Sequence, residues 1–299
     1  MSDAGSVSAA DASDDARCGV CGGPLEKWAD HCPHCNSAVR APNVRAALSD
    51  AEVEALSRRY EEALRLAGES GTRVLIEQFE TAVSTSSRAV INRTPKALVQ
   101  MLESEGDAAG NYYTLVAAGL RRPGSDTFNE LRPIVDQMIF PNYFEHIQYA
   151  ALSLNDTGAE VYGSCTISLK SALIQQRSSV FETNSLLYMV ERGLPIPDAL
   201  RIPAGLRAPW SARGRLAVAK LWSEIRPNAT DGGFPSVLIS RHPSSKQDDF
   251  IEVHIFGGLT TYTIESVQLS SVHNKRERLY VDAIQDICSS MGVPVSRQQ

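Results

Sequence analysis

Four of the six cysteines fall in two C-x-x-C pairs, Cys18-Gly-Val-Cys21 and Cys32-Pro-His-Cys35, with ten residues between them. Two such knuckles supply four thiolates to one tetrahedral ion, and zinc is the usual guest of four cysteines. A module this short has almost no core, so metal binding, worth on the order of 10 kcal/mol or more in such peptides, is what folds it. Gly19, Gly22 and Gly23 suit the tight turns of the knuckles. His31 and His34 sit beside and inside the second pair. Cys18, Cys21, Cys32 and Cys35 already complete the coordination, which leaves the histidines on the surface or hydrogen-bonded around the ligands. The site is structural, because a catalytic zinc keeps one position open.

The second chemical candidate lies in Phe250 to Leu259, FIEVHIFGGL. Side chains alternate along a strand, so Ile251, Val253 and Ile255 share one face, and Phe250, Glu252, His254 and Phe256 share the other. The first face is core. The second sets a carboxylate among aromatics and a histidine; an unpaired buried charge is costly, so such a face is expected to line a cleft. Glu252 is the first catalytic candidate, against the plainer alternative of a surface glutamate on a half-exposed strand.

Elements able to position these residues follow one another along the chain. Residues 1–15, with Asp3, Asp11, Asp14 and Asp15 and no apolar run, read as a disordered acidic tail and as neither signal nor transit peptide. Residues 16–40 hold the ribbon, and a linker with Pro42 leads to a helical segment over 48–86. There Ser49 to Glu52 reads as a capping box, followed by Val53, Leu56, Tyr60, Leu64 and Ala67 at helical spacing. Thr72 to Val83 predicts a second helix with Leu75 and Phe79 inward, and Ser84-Thr85-Ser86 a loop. Arg88 to Asn92 predicts a strand, after which Thr94 caps and Pro95 opens a helix carrying Leu98, Val99 and Leu102. Arg93 thus stands at a strand-to-helix junction. A guanidinium there reaches a phosphate or ribose beside the helix's first amides, or simply ends a strand at the surface.

Asn111 to Arg122 reads as a loop over a site. Ser125 to Phe140 predicts a helix with Phe128, Leu131, Val135 and Met138 inward, kinked or started late by Pro133. Tyr149 to Leu154 predicts a strand with Tyr149, Ala151 and Ser153 on one face. Glu160 to Lys170 predicts another, in which Gly163 marks a close backbone approach. Arg177 to Ser185, polar around Phe181, reads as a binding loop. A helix over Ala212 to Ile225, strands over Val237 to Arg241 and Thr261 to Leu269, and a final helix over Glu277 to Met291 complete the chain.

At 299 residues, 43% hydrophobic and 21% charged, the chain has the make-up of a folded globular protein with room for one core and a small module. A net charge of -6 gives no global basic field, so contact with nucleic acid must rest on a local patch. Arg17, Lys27 and Arg40 near the ribbon do not select between nucleic acid, protein and a mere cap on the fold. No stretch reaches the roughly 20 apolar residues that a bilayer crossing needs. Cys165 and Cys288 stand alone in apolar surroundings, a usage that suits a reducing cytosol. A cytoplasmic chain with no membrane partner is expected.

A strand whose arginine runs at once into a helix, a strand with Tyr149 and Ser153, and a late strand with Glu252 resemble, in that order, the three-part site of the ADP-ribosyltransferase superfamily. The runs QYAALSL, VYGSCTISLK, Arg177 to Ser185, and FIEVHIFGGL followed by IESV are similar to a little-characterised bacterial family of that kind. The resemblance covers about residues 88–270 and leaves the ribbon outside it. It implies an α+β protein: a four-cysteine zinc ribbon, then a mixed α+β ADP-ribosyltransferase-like domain over 87–299, with a split β-sheet and flanking helices.

It also implies NAD as substrate. Glu252 would stabilise the positive charge that builds on the ribose as nicotinamide leaves. Arg93 would pin a ribose or the pyrophosphate, and Tyr149 or Ser153 would wall or orient the nicotinamide end. Thr94 and Phe181 complete the implied cofactor-binding set, and Arg88 or His146 stands as an alternative to Arg93. Arginine-modifying relatives carry Glu or Gln two residues before the catalytic Glu; Phe250 stands there, so arginine side chains are not the expected target. The expected activity is transfer of ADP-ribose to a nucleic acid or a protein, with the ribbon helping to present the target and a partner or antitoxin protein among its contacts. The alternatives are a non-catalytic zinc-ribbon scaffold with an inactive body, and an NAD glycohydrolase.

Overall fold

The computed structural model describes residues 17–18, 20–26, 29, 31–104, 111–117, 119, 127–192, 202–240, 248–270 and 275–297. The acidic tail, Lys27 and the side chain of Phe128 lie outside them. Beyond the ribbon come α1 (Pro42–Ala47), α2 (Asp50–Glu69) and α3 (Arg73–Ser86). The expected capping box does not form: Ser49 makes no side-chain cap bond. Glu52, which would have closed the box, is instead buried, taking the Gly205 amide and, at 2.9 Å, the Arg207 guanidinium. α2 turns Leu56, Ala63 and Ala67 inward and leaves Val53 exposed, against the spacing-based expectation. α3 buries Ile76, Phe79 and Val83. It runs on through Ser84, Thr85 and Ser86, so these residues form its last turn and not a loop; the Thr85 hydroxyl donates back to the Thr81 carbonyl at 2.8 Å, which satisfies it within the helix.

β1 (Arg88–Arg93) and α4 (Pro95–Glu103) follow, with the Thr94 hydroxyl oxygen accepting from the Ala97 amide at 3.3 Å as the sequence predicts. α5 (Tyr112–Ala117) occupies part of the stretch read as a loop, and α6 (Thr127–Ile139) carries Pro133 inside it. β2 (Ile147–Ser153) leads to β3 (Cys165–Leu169), which starts later than predicted because Glu160–Tyr162 form a single 3-10 turn. Gly163 lies in that connection at φ 146°, and an added Cβ would collide with the Arg93 carbonyl group. The close approach is real, and only glycine fits it. After α7 (Ser171–Ile174), β4 (Ser178–Phe181) and α8 (Ser185–Glu191) take most of the stretch read as a binding loop.

β5 (Arg207–Pro209), α9 (Arg213–Leu221), α10 (Phe234–Leu238) and the short β6 (Ile239–Ser240) come next. Of the strand predicted over Val237 to Arg241, Val237 and Leu238 end α10, Ile239 and Ser240 form β6, and Arg241 lies outside the described residues. The chain ends with β7 (Asp249–Phe250), β8 (Glu252–Phe256), β9 (Ile264–Leu269), α11 (Lys275–Ser290) and β10 (Val295–Arg297). FIEVHIFGGL is thus divided. Phe250 pairs with Ile239 in a small two-stranded sheet, and the Ile251 carbonyl, between β7 and β8, accepts from the Leu152 amide at 2.9 Å.

One mixed sheet runs β10-β9-β3-β1-β2-β8-β4-β5, antiparallel except for the parallel pair β10 and β9. Where the resemblance implies a split sheet, these eight strands hydrogen-bond in unbroken order. Ala150, Leu152, Val180, Val253 and Ile255 enter a core that also takes Leu56 of α2, Phe79 of α3, Leu216 of α9 and Ile284 of α11, so the helical segment shares its core with the sheet. A second cluster joins Val135 and Ile139 of α6, Phe140 and Tyr143 to Phe181 and to Leu186 and Met189 of α8. It covers the sheet face that carries Glu252. No described helix is long and apolar enough to cross a membrane.

Candidate functional site

In the ribbon the four thiols of Cys18, Cys21, Cys32 and Cys35 lie within 4.8 Å of one another. Cys18 and Cys35 are 3.7 Å apart at sulfur, and Cys21 and Cys32 are 3.5 Å apart. A tetrahedral ion with metal–sulfur bonds of about 2.3 Å needs sulfur–sulfur edges of about 3.8 Å, so the spacing fits. The four cysteines could hold a metal such as zinc. Amides of Val20 and His34 each point at a knuckle sulfur, from 3.4 Å, and favour the thiolate. The Ser37 hydroxyl, then the amides of Cys21 and Val20, hold the Cys18 thiol down at about 6, and Ser37 likewise lowers Cys35. At Cys21 the Gly23 amide acts the same way but is outweighed by the Cys35 and Cys32 thiols, which push it up to about 12. His31 and His34 are exposed beside the cluster, outside the four-sulfur set. Arg45 of α1 fastens the module to the body, donating to the carbonyls of Ala29 at 2.8 Å and Glu26 at 3.0 Å.

Glu252 is the first residue of β8, opposite Ala151 on one side and Phe181 on the other. It is only 3% exposed. His254, two residues on and therefore on the same face, hydrogen-bonds its Oε2 through Nε2 at 2.8 Å, and the Ser185 amide at the start of α8 donates to the same oxygen at 3.0 Å. Oε1 has no hydrogen-bond partner among the described residues. Burial by itself would raise this carboxyl, but the His254 hydrogen bond and charge, the Ser185 amide and Arg132 outweigh it and hold Glu252 below the usual carboxylate range. An ionised carboxylate accepts only, so His254 is the donor of the pair.

The rest of the site comes from α5, α6 and β2. Arg132 lies with its guanidinium carbon 4.8 Å from the centre of the Tyr149 ring and its Nε 3.6 Å from Asp136 Oδ2. Asp136, fully buried, takes the Tyr113 hydroxyl at 2.6 Å. Burial raises the Asp136 carboxyl in spite of Arg132 and Tyr113, the opposite direction from Glu252. Rings of Phe140, Tyr149 and Phe181 surround the His254 imidazole at 4.7, 5.3 and 6.2 Å. On the outer side Tyr162, 54% exposed, receives the Asn184 amide at 3.0 Å. Arg132 Nε and Ser185 Oγ are sealed from solvent with no hydrogen bond among the described residues. Buried groups left unsatisfied are rare in folded chains and ask for a partner.

The predicted site residues divide accordingly. Glu252, Tyr149 and Phe181 come together. Arg93 does not join them: it pairs with Cys165, in step with Ile91 and Ile167, and so lies on the sheet face opposite to the one shared by Val90, Ala151 and Glu252. Thr94 goes with it as the α4 cap. Arg88 has the parity of the Glu252 face but sits at the strand end beside Ser153, in an ion pair with Glu265 at 2.8 Å. Ser153 hydrogen-bonds Asn155 in the following turn at 3.2 Å and supports that turn, not the carboxylate. His146 is exposed ahead of β2, against Phe256 at 6.0 Å between rings, at the far end of the strand from Glu252. Arg132, Asp136 and Tyr113 were not among the predicted residues. Their signal was an arginine and an aspartate four apart, flanking the inward positions Leu131 and Val135 on one helix. Neither models of protein families nor curated proteins give a match to this chain.

Proposed function

We propose that the chain is an NAD-dependent ADP-ribosyltransferase whose zinc ribbon helps present a macromolecular target. The observation that carries this reading is Glu252: an ionised carboxylate in a nearly dry setting, with one oxygen fixed by His254 and the Ser185 amide and the other uncommitted. In support, the strands bearing the arginine, the tyrosine and the glutamate of the resemblance, β1, β2 and β8, are neighbours in the sheet.

In the reaction the bond between the ribose C1′ and the nicotinamide nitrogen breaks, and the electron pair leaves with nicotinamide. Positive charge on the ribose is stabilised by Glu252 through Oε1; the low effective dielectric makes that charge count for more than in water. A nucleophile of the target donates its lone pair to C1′ and gives up its proton. The Tyr149 ring walls the leaving-group side. Arg93 has no part in these steps, since it belongs to the other face.

The depth of Glu252 and its pairing with His254 favour one other reading, a non-catalytic scaffold in which the pair is architectural. Thermal shift with NAD separates the two, because a ligand of the folded state raises the melting point in proportion to ln(1 + [L]/Kd). Under the enzymatic reading NAD raises it, and Glu252→Gln lowers release of nicotinamide by about a hundredfold or more while the fold is kept. Full activity in that variant would remove Glu252 from the mechanism. Label that stays in free ADP-ribose, with none on macromolecules, would make the protein an NAD glycohydrolase.

A further inference from the structure

We infer that Arg132 grips the phosphate-bearing half of the dinucleotide, at a subsite furnished by α6 and not by β1. The inference rests on the reading of Glu252 as a carboxylate that faces NAD. What motivates it is a guanidinium whose hydrogen-bonding capacity is left over. Arg132 has five N–H donors in a planar fork. It makes no hydrogen bond among the described residues: the Asp136 carboxylate is 3.6 Å from Nε, an ion pair without hydrogen-bond geometry, and Nε is sealed without a partner. The side chain nevertheless keeps 20% of its surface open.

The guanidinium is held by contacts that leave the fork unused. It stacks over Tyr149 at 4.8 Å, and Asp136 behind it is steadied by Tyr113 at 2.6 Å. A planar fork positioned in this way matches two oxygens of a phosphate, which a point-like ammonium does not. Neither nearby carboxyl uses up the fork: Glu252 Oε2 is taken by His254 and the Ser185 amide, and Asp136 Oδ2 accepts from the Tyr113 hydroxyl. Arg132 also lies within electrostatic reach of Glu252, whereas Arg93 is on the far face.

The test uses the full chain, ADP-ribose and nicotinamide as separate probes, and titration calorimetry. Arg132→Ala would strand the buried Asp136, so the variant is the double R132Q/D136N, checked for its fold by circular dichroism, with Arg132→Lys beside it. Loss of a charged, bidentate contact worth about 2 kcal/mol or more raises the ADP-ribose Kd about 30-fold or more. Nicotinamide, which carries no phosphate, should shift by less than about threefold. Arg132→Lys should fall between wild type and the double variant, and in NAD turnover its KM should rise more than its kcat falls. A folded R132Q/D136N that binds ADP-ribose like wild type overturns the assignment of Arg132 alone; so does an Arg132→Lys variant indistinguishable from wild type, which decides the matter if the double variant does not fold. Wild-type protein that binds neither ADP-ribose nor NAD overturns the parent reading and this inference with it.

Discussion

Glu252 and Asp136 are buried carboxylates within reach of one guanidinium, and their surroundings pull their acidities in opposite directions. Each direction has a consequence for stability. Glu252 titrates below its unfolded value of about 4.3, so its contribution is complete above that pH and is lost as pH falls through the folded value. Asp136 titrates above its unfolded value, so its contribution is present at low pH and is lost as pH rises through the folded one. Replacing Glu252 by Gln should therefore flatten the acid limb of wild-type stability, while Asp136→Asn flattens the opposite slope. Denaturant melts at several pH values between about 3 and 7 check this, and parallel curves for wild type and Glu252→Gln would show that the carboxylate is not held by His254 and Ser185. At this scale the sequence was readable where chemistry is local. The four cysteines announce themselves by spacing, and Glu252 by the alternation of its strand. Arg132 was hidden, because its meeting with Tyr149 and Glu252 depends on how a helix lies across a sheet, which periodicity does not encode.

Among the elements, α1 does more than its six residues suggest. Its Asn43 amide nitrogen, buried, donates to the Ser179 hydroxyl at 3.1 Å, the His254 carbonyl at 2.9 Å and the Arg177 carbonyl at 3.2 Å, so it pegs the ribbon's arm to β4 and β8. Asn43→Ala should cost about 2 kcal/mol, read as a lower urea midpoint at unchanged slope, and Asn43→Asp should cost more because a buried charge would meet carbonyl oxygens. An unchanged midpoint in Asn43→Ala would mean that the arm is not anchored there. Helix α4, its Thr94 cap and the strands β1 and β2 were legible from caps and alternation. The stretch from Arg177 to Ser185 was not: four of its residues are a buried strand, β4, whose serines are satisfied by helices, Ser178 donating to the Ile174 carbonyl of α7 and Ser179 accepting from Asn43 of α1, and polar composition alone looks like a loop.

For the molecule as a whole, the ribbon and the body are stabilised by different means. The body has a core that runs from α2 to α11, whereas the ribbon has four sulfurs and the Arg45 clasp. A strong chelator should speed proteolysis within residues 17–38 while moving the main melting transition by no more than a few degrees or so. A single transition that collapses on chelation would show that the body needs the metal. Topology was the least legible property. The sheet order joins β2 to β8 and β9 to β3 across long separations, and pairing at that range leaves no mark on local composition.

The insertion of β8 between β2 and β4 governs how the protein is made. A nascent chain that has left the ribosome up to β4 holds β2, β3 and β4 with open edges, their partners β8 and β9 not yet translated. Such edges invite pairing with other chains, so products truncated before Glu252 would be sticky clients for chaperones, and the buried cluster around His254 comes together only when β8 is delivered.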